Sequence, residues 1–115
     1  MELSEKEKSV IQMALDHAEE DRGIGLQKAI ETWEKAEEIE QRFGPNTFGA
    51  HEAVDRAHLI MENWEFYVCD HPTVLMDPEI HRMARIAATL MAEVYNAIAT
   101  KDCLDEASET EAGKH

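Results

Sequence analysis

Apolar residues recur every three or four positions through most of this chain, and no stretch alternates regularly between apolar and polar residues. A spacing of three and four places side chains on one face of an α-helix, whereas a β-strand requires alternation. We therefore expect an all-α fold. The 115 residues suffice for one domain with its own core but are too few for a multidomain enzyme.

Start and stop signals divide the helical pattern into four segments. Ser4 and Glu7 form a capping box for the first helix, and Gly23 and Gly25 are expected to end it. Asp77 and the proline after it are a start signal for the last helix. The predicted helices cover about residues 5–21, 26–43, 48–70 and 78–99. Short connections favour an antiparallel four-helix bundle or a pair of helical hairpins, complete on its own or completed by oligomerisation.

We predict a single helical domain over residues 1–100 and a disordered acidic tail over 101–115, because the tail has no apolar periodicity.

In the third helix, one stripe of side chains has the spacing of a core face. Phe48, Leu59 and Phe66 project from the opposite side, and we expect them to form an oligomer face. The expected core stripe contains Ala50, Val54, Ala57, Met61, Trp64 and Val68, with Ala53, Ile60 and Tyr67 alongside.

Acidic residues dominate the charge of the chain, with 25 Asp and Glu against 11 Lys and Arg and a formal net charge of -14. Such a charge repels phosphate backbones, so direct binding of nucleic acid is not expected, and a partner is expected to be basic. Neither a signal peptide nor a membrane-spanning stretch is recognisable. Together with only two, widely spaced cysteines, this predicts a cytoplasmic protein.

The acids are most concentrated in the first two predicted helices and their connection. A bundle of 20-residue helices is about 30 Å long, and duplex DNA of that length carries roughly 18 phosphates. The net charge is of that order, so the surface is a candidate mimic of nucleic acid that docks on a basic groove. The alternative is a surface that serves only solubility. The candidate partner-binding residues are Glu19, Glu20, Asp21, Glu31, Glu34, Glu37 and Glu38.

A second candidate site follows one stripe of the third helix. His51, Asp55, His58 and Glu62 are spaced by four, three and four residues, and imidazole and carboxylate groups on adjacent turns are suitable ligands for a divalent metal. The same spacing also arises on the solvated flank of an amphipathic helix. We expect no cofactor, and a metal site on this stripe is an alternative.

A third candidate is a set of arginines. Arg82 and Arg85 lie close together on the last helix and, with Arg56, are groups that can bind phosphate. They suggest an alternative function, in which an oligomer sequesters a signalling nucleotide between its helices.

Two groups of glutamates bear on enzymatic activity. Glu34, Glu37 and Glu38 precede Glu62 and Glu65 in the chain, and the two groups superficially resemble the paired acidic motifs of all-α NTP pyrophosphohydrolases. Those motifs hold magnesium against a triphosphate. The second group here lacks the terminal Asp of that family, and no Lys or Arg lies close to this group in sequence to bind phosphates. No other catalytic motif is present, so we expect a protein that is not an enzyme.

The segment 49–99 contains HEA-x-DR at the start of a helix, a His-Pro loop, a Pro-Glu helix start and Tyr-x-Ala-Ile at a helix end. With these motifs it resembles small helical proteins encoded by bacteriophages and prophages. The resemblance implies an accessory factor that binds and neutralises a host protein, such as a defence or DNA-processing protein. It implies no catalytic or binding residues.

Overall fold

The computed structural model describes the backbone of residues 2–114 and the side chains of residues 2–101. Within this range the chain is mostly helical and contains no strand, which confirms the all-α class. None of the helices in this range is both long and apolar enough to cross a membrane. In chain order the elements are α1 Glu5–Trp33, α2 Ala36–Phe43, α3 Phe48–Trp64, a π-helix Glu65–Cys69, α4 Pro72–Leu75 and α5 Pro78–Lys114.

Two compact units make up the chain, Met1–Glu40 and Gln41–His115. The sequence predicts one domain over residues 1–100, and the structure distinguishes two units within that range. The first contains α1 and most of α2, and the second contains α3, the π-helix, α4 and α5. The antiparallel four-helix bundle stays a prediction.

The first helix begins where the capping box predicts. The Ser4 hydroxyl accepts a hydrogen bond from the Glu7 backbone N–H at 3.1 Å, and the Glu7 carboxylate accepts one from the Ser4 N–H at 2.8 Å. Two backbone donors that the helix itself leaves without acceptors are thereby satisfied. Ser4 thus fixes the start of α1.

The predicted end of this helix near residue 21 is wrong, and so is the predicted start of a second helix near residue 26. Gly23 and Gly25 lie inside α1. Neither has a positive φ, so neither adopts the left-handed conformation that ends a helix. Glycine inside a helix costs only about 1 kcal/mol relative to alanine, and α1 continues through both positions.

The break between α1 and α2 comes at Glu34 instead. This residue has φ 68° and ψ −32°, and residues other than glycine rarely adopt a backbone conformation with positive φ. The next residue, Lys35, donates its backbone N–H to the carbonyl of Trp33 at 2.8 Å. A new helix, α2, then begins at Ala36. It ends at Phe43, where the sequence predicts the end of the second helix.

The loop between α2 and α3 lies over residues 44–47, between the second and third predicted helices. Asn46 has φ 62°, and asparagine tolerates this conformation better than most residues. The Thr47 hydroxyl accepts from the Ala50 N–H at 3.1 Å and donates to the Gly44 carbonyl at 2.7 Å. A side chain at Gly49 would collide with the backbone carbonyl of Arg42 and the ring of Phe43. The loop therefore requires glycine at residue 49.

The third predicted helix continues beyond α3 as a π-helix. The Asp70 N–H donates to the Glu65 carbonyl at 3.1 Å, a bond to the fifth residue back. In an uninterrupted α-helix Cys69 would project about 100° away from the buried Ala50. A π-helical turn holds more residues than an α-helical one, so Cys69 is rotated back toward the core, where it is fully buried.

Small residues form the core of the second unit. Cys69, Ala84 and Ala88 are buried and let α3, the π-helix and α5 approach closely, while Trp64, Val68 and Val74 pack around them. The predicted core stripe of α3 is correct at its centre, because its six residues are buried or half-buried. Its flank is not, because Ala53, Ile60 and Tyr67 are exposed.

The start of α5 confirms the predicted cap. The Asp77 carboxylate accepts from the N–H groups of Glu79 at 3.0 Å and Ile80 at 3.1 Å. The element extends to Lys114, past the predicted end near residue 99. Residue 115 and the side chains of 102–114 lie outside the described part of the chain, so the expected disorder of residues 101–115 stays a prediction.

Candidate interaction surface

The candidate partner-binding acids lie in or beside helices of the first unit. Four of them are in α1, Glu34 caps its end, and two are in the first turn of α2. Six are exposed and Glu38 is half-buried. This unit contains twelve acidic and five basic residues among its forty, a higher density of acid than in the rest of the chain. We call the seven the acidic segment: Glu19, Glu20, Asp21, Glu31, Glu34, Glu37 and Glu38.

Continuity of α1 determines how these acids are arranged. Glu20 and Glu31 are eleven residues apart, close to three whole turns, so they project on the same side of α1 about 16 Å apart. Asp21 projects about 100° further round the helix. The predicted break between residues 21 and 26 would have separated these acids into two helices. Instead, Glu20 and Glu31 lie on the same side of one helix.

Not all of these charges act alone. Two nitrogens of the Arg22 guanidinium donate hydrogen bonds to the Glu19 carboxylate, and the bond from Nε is 3.0 Å long. These hydrogen bonds, and then the positive charge of Arg22, lower the pKa of the Glu19 carboxyl below its ordinary value. Glu37 and Glu38 also suit the first turn of α2, where the helix dipole favours negative charge.

The predicted metal stripe is only partly assembled. His58 Nε2 lies 3.4 Å from Oε1 of Glu62. The His58 ring lies against the ring of Tyr95, and the two ring centroids are 5.5 Å apart. Nowhere in the described range do three or more His, Cys, Asp or Glu side chains come together as a set of metal ligands. The structure therefore does not bring His51 and Asp55 to His58 and Glu62 as a metal centre.

Two of the candidate phosphate-binding arginines are paired with carboxylates. A guanidinium nitrogen of Arg56 lies 3.0 Å from a carboxylate oxygen of Glu52 on the same helix. A guanidinium nitrogen of Arg85, in α5, lies 3.4 Å from a carboxylate oxygen of Glu65. Arg82 is half-buried on α5. These pairings offset the positive charge that a phosphate would need.

The glutamates that resemble pyrophosphohydrolase motifs fall into different units of the chain. Glu34, Glu37 and Glu38 belong to the first unit. In the second, Glu62 is paired with His58 and Glu65 with Arg85.

The predicted oligomer face is exposed. Phe48, Leu59 and Phe66 expose 81%, 57% and 68% of their surfaces. Their positions follow from the core stripe on the opposite side of α3.

A groove beside the π-helix is a feature that sequence reasoning missed. The rings of Phe66 and Tyr67 meet edge to face with centroids 5.0 Å apart, and Tyr67 is 65% exposed. The apolar spacing predicts Tyr67 beside the core, on the same flank as Ala53 and Ile60, and this spacing gives no signal of a π-helical turn. The groove is lined by Glu62, Asn63, Glu65, Phe66, Tyr67 and Asp70.

Comparison with known proteins gives no relative for this chain. No protein-family model, curated protein or solved structure matches it significantly.

Proposed function

We propose that this protein acts by binding, without catalysis, and that the acidic segment docks on a basic surface of another protein. The observation that carries the proposal is the exposure of six of its seven carboxylates in a unit with twelve acids and five bases. Exposed charges of one sign attract an oppositely charged partner over distances of about a Debye length and speed its association. They also repel partners of the wrong sign, which gives specificity.

The partner class that we propose is a protein whose basic groove binds DNA or RNA. The 29 residues of α1 extend over about 43 Å, which is longer than the bundle helix expected from the sequence. Glu20 and Glu31 present carboxylates along one side of that length. Such a row can occupy part of the path that a phosphate backbone takes through a basic groove.

The resemblance of residues 49–99 to phage and prophage proteins supports a narrower form of the proposal. In that form the protein is an accessory factor that neutralises a defence or DNA-processing protein of the host. Nucleic-acid mimicry is the proposed mechanism, because it blocks a basic groove without any reaction.

Competitive capture tests the proposal. The purified protein is immobilised, incubated with a bacterial lysate and washed, and bound proteins are eluted with a short DNA duplex. We expect DNA to release proteins with basic nucleic-acid-binding surfaces. Elution by salt but not by DNA would contradict mimicry, and capture of nothing beyond the blank support would contradict binding.

A further inference from the structure

We infer that the outer face of α3 is a second docking surface, and that its occupant is a basic amphipathic helix of another protein. We define this outer face as Phe48, Asp55, Leu59 and Glu62 of α3 together with Phe66 of the adjoining π-helix. It belongs to the second unit and contains no residue of the acidic segment. The inference therefore goes beyond the proposed function and can fail separately from it.

The apolar part of the outer face is large enough to contribute to a specific interface. With exposed fractions of 81%, 57% and 68%, Phe48, Leu59 and Phe66 present about 400 Å² to solvent. A standard protein interface buries about 800 Å² on each partner. These three side chains thus supply about half of such an interface, and obligate homodimers bury considerably more.

Charge complementarity identifies the occupant. The exposed carboxylates of Asp55 and Glu62 lie between the apolar side chains. Glu62 also contacts His58 of the same helix, whereas Asp55 makes no ion pair among the described residues. The adjoining groove adds Asp70, which is also exposed. A partner with lysine or arginine beside its apolar residues would satisfy these carboxylates, whereas an acidic partner would be repelled.

The same charges argue against a second copy of this chain as the occupant. A twofold-symmetric dimer places the same surface on both sides of the interface. Asp55 and Glu62 of one copy would then face carboxylates of the other copy, within a pair of chains that each carry a net charge of -14. The sequence-based expectation of an oligomer face at Phe48, Leu59 and Phe66 thus becomes, in our proposal, a face for a different protein.

The spacing of the apolar residues suits a helix. Leu59 and Phe66 are seven residues apart, which corresponds to about 10 Å along the axis, and Phe48 lies about 16 Å before Leu59. An amphipathic helix presents apolar residues at intervals of three and four residues, and therefore also at intervals of seven and eleven. Its flanking lysines would lie over Asp55 and Glu62.

The test uses a defined probe, an 18-residue amphipathic peptide of leucine and lysine with a fluorescent label, and its leucine–glutamate counterpart. Anisotropy titrations with the full chain at physiological salt compare the double variant Leu59→Ser/Phe66→Ser with Leu90→Ser. Leu90 is a matched control, because it lies on α5 and is 57% exposed, as Leu59 is. We expect the double variant to weaken lysine-peptide binding at least tenfold and Leu90→Ser to change it less than twofold.

Several results would overturn the inference. Equal losses in the double variant and in Leu90→Ser would show that the peptide does not recognise this face, as would equal affinities for the two peptides. Sedimentation of a dimer that Leu59→Ser dissociates would assign the face to a second copy.

A further variant, Glu34→Lys/Glu37→Lys/Glu38→Lys, tests whether the outer face and the acidic segment are independent. We expect this variant to lose DNA-displaceable capture and to keep lysine-peptide binding.

Discussion

The indole Nε1–H of Trp64 donates a hydrogen bond to the backbone carbonyl of Ala84, with 2.9 Å between the nitrogen and the oxygen. The thiol of Cys69 donates to the same carbonyl at 3.5 Å. Because Trp64 ends α3 and Ala84 is in α5, this carbonyl joins the two longest helices of the second unit. The π-helix brings Cys69 to the same point.

Removing the indole donor should weaken the second unit. We expect Trp64→Phe to lower the free energy of unfolding by about 1–2 kcal/mol, because it removes one hydrogen bond and part of a packed ring. Urea denaturation followed by far-UV circular dichroism measures the change. The control is Tyr67→Phe, which removes a polar group from a ring that is 65% exposed and should change stability little. A larger loss in the control than in Trp64→Phe would contradict this account of the core.

The helical start signals were predictable from sequence because each depends on residues close together in the chain. Ser4 with Glu7, Thr47 with Ala50, and Asp77 with the N–H groups after it form hydrogen bonds over two or three residues. A cap of this kind does not depend on the rest of the fold. All three starts are where the sequence places them.

The features that were missed depend on more than local chemistry. A glycine pair permits a helix end as well as a weak helix interior, so Gly23 and Gly25 did not determine the course of α1. The π-helix changes which side chains face the core. The apolar spacing in the sequence does not indicate this change, because it is the same as in a regular α-helix. The acids of the candidate surface could be named from the sequence, but the position of four of them on one continuous helix could not be predicted.

Glycine substitutions distinguish the continuous α1 from the predicted break. Added Cβ atoms at Gly23 and Gly25 meet no atom within 4 Å, and neither residue has a positive φ. We therefore expect Gly23→Ala and Gly25→Ala each to stabilise the helix by about 1 kcal/mol. Thermal unfolding followed by circular dichroism would show a raised midpoint or increased helicity. A loss of helicity in both variants would indicate a helix end at these glycines.

Gly49→Ala provides the opposite case. Here the added methyl group would collide with the Arg42 carbonyl and the Phe43 ring, and we expect a loss of about 1–3 kcal/mol. The same thermal unfolding experiment measures it. A stabilised Gly49→Ala variant would contradict the close approach of α2 and α3 at this position.

Burial of Cys69 predicts slow chemical modification. Its side chain is fully buried, so a thiol reagent should reach it only when the second unit opens. In a Cys103→Ser variant, which retains Cys69 alone, we expect the thiol-specific reagent DTNB to react slowly in buffer and rapidly in urea. Immediate and complete reaction in buffer would show that Cys69 is accessible.

The Glu19–Arg22 pair predicts a local pH dependence in the acidic segment. Since hydrogen bonding and charge from Arg22 lower the folded-state pKa of the Glu19 carboxyl, the pair favours the helix above the unfolded-state pKa. That contribution is lost as pH falls through the lower, folded-state pKa. Carboxyl-detected NMR titration should show a higher Glu19 pKa in Arg22→Gln than in the wild type, whereas Lys28→Gln should leave it unchanged. An identical pKa in Arg22→Gln and wild type would exclude the interaction in solution.

Binding of the partner by the acidic segment is the core of the proposed function. Its most direct measurement is the affinity of the DNA-displaceable partner for wild type and for Glu34→Lys/Glu37→Lys/Glu38→Lys, determined by calorimetry at several salt concentrations. The single variants Glu37→Lys and Glu93→Lys form a matched pair, because both residues are exposed and both changes alter the net charge equally. Circular dichroism establishes that each variant keeps its helical content. We predict that the triple variant abolishes binding, that Glu37→Lys weakens it more than Glu93→Lys does, and that wild-type affinity falls as salt rises. Unchanged affinity in a folded triple variant would contradict the claim.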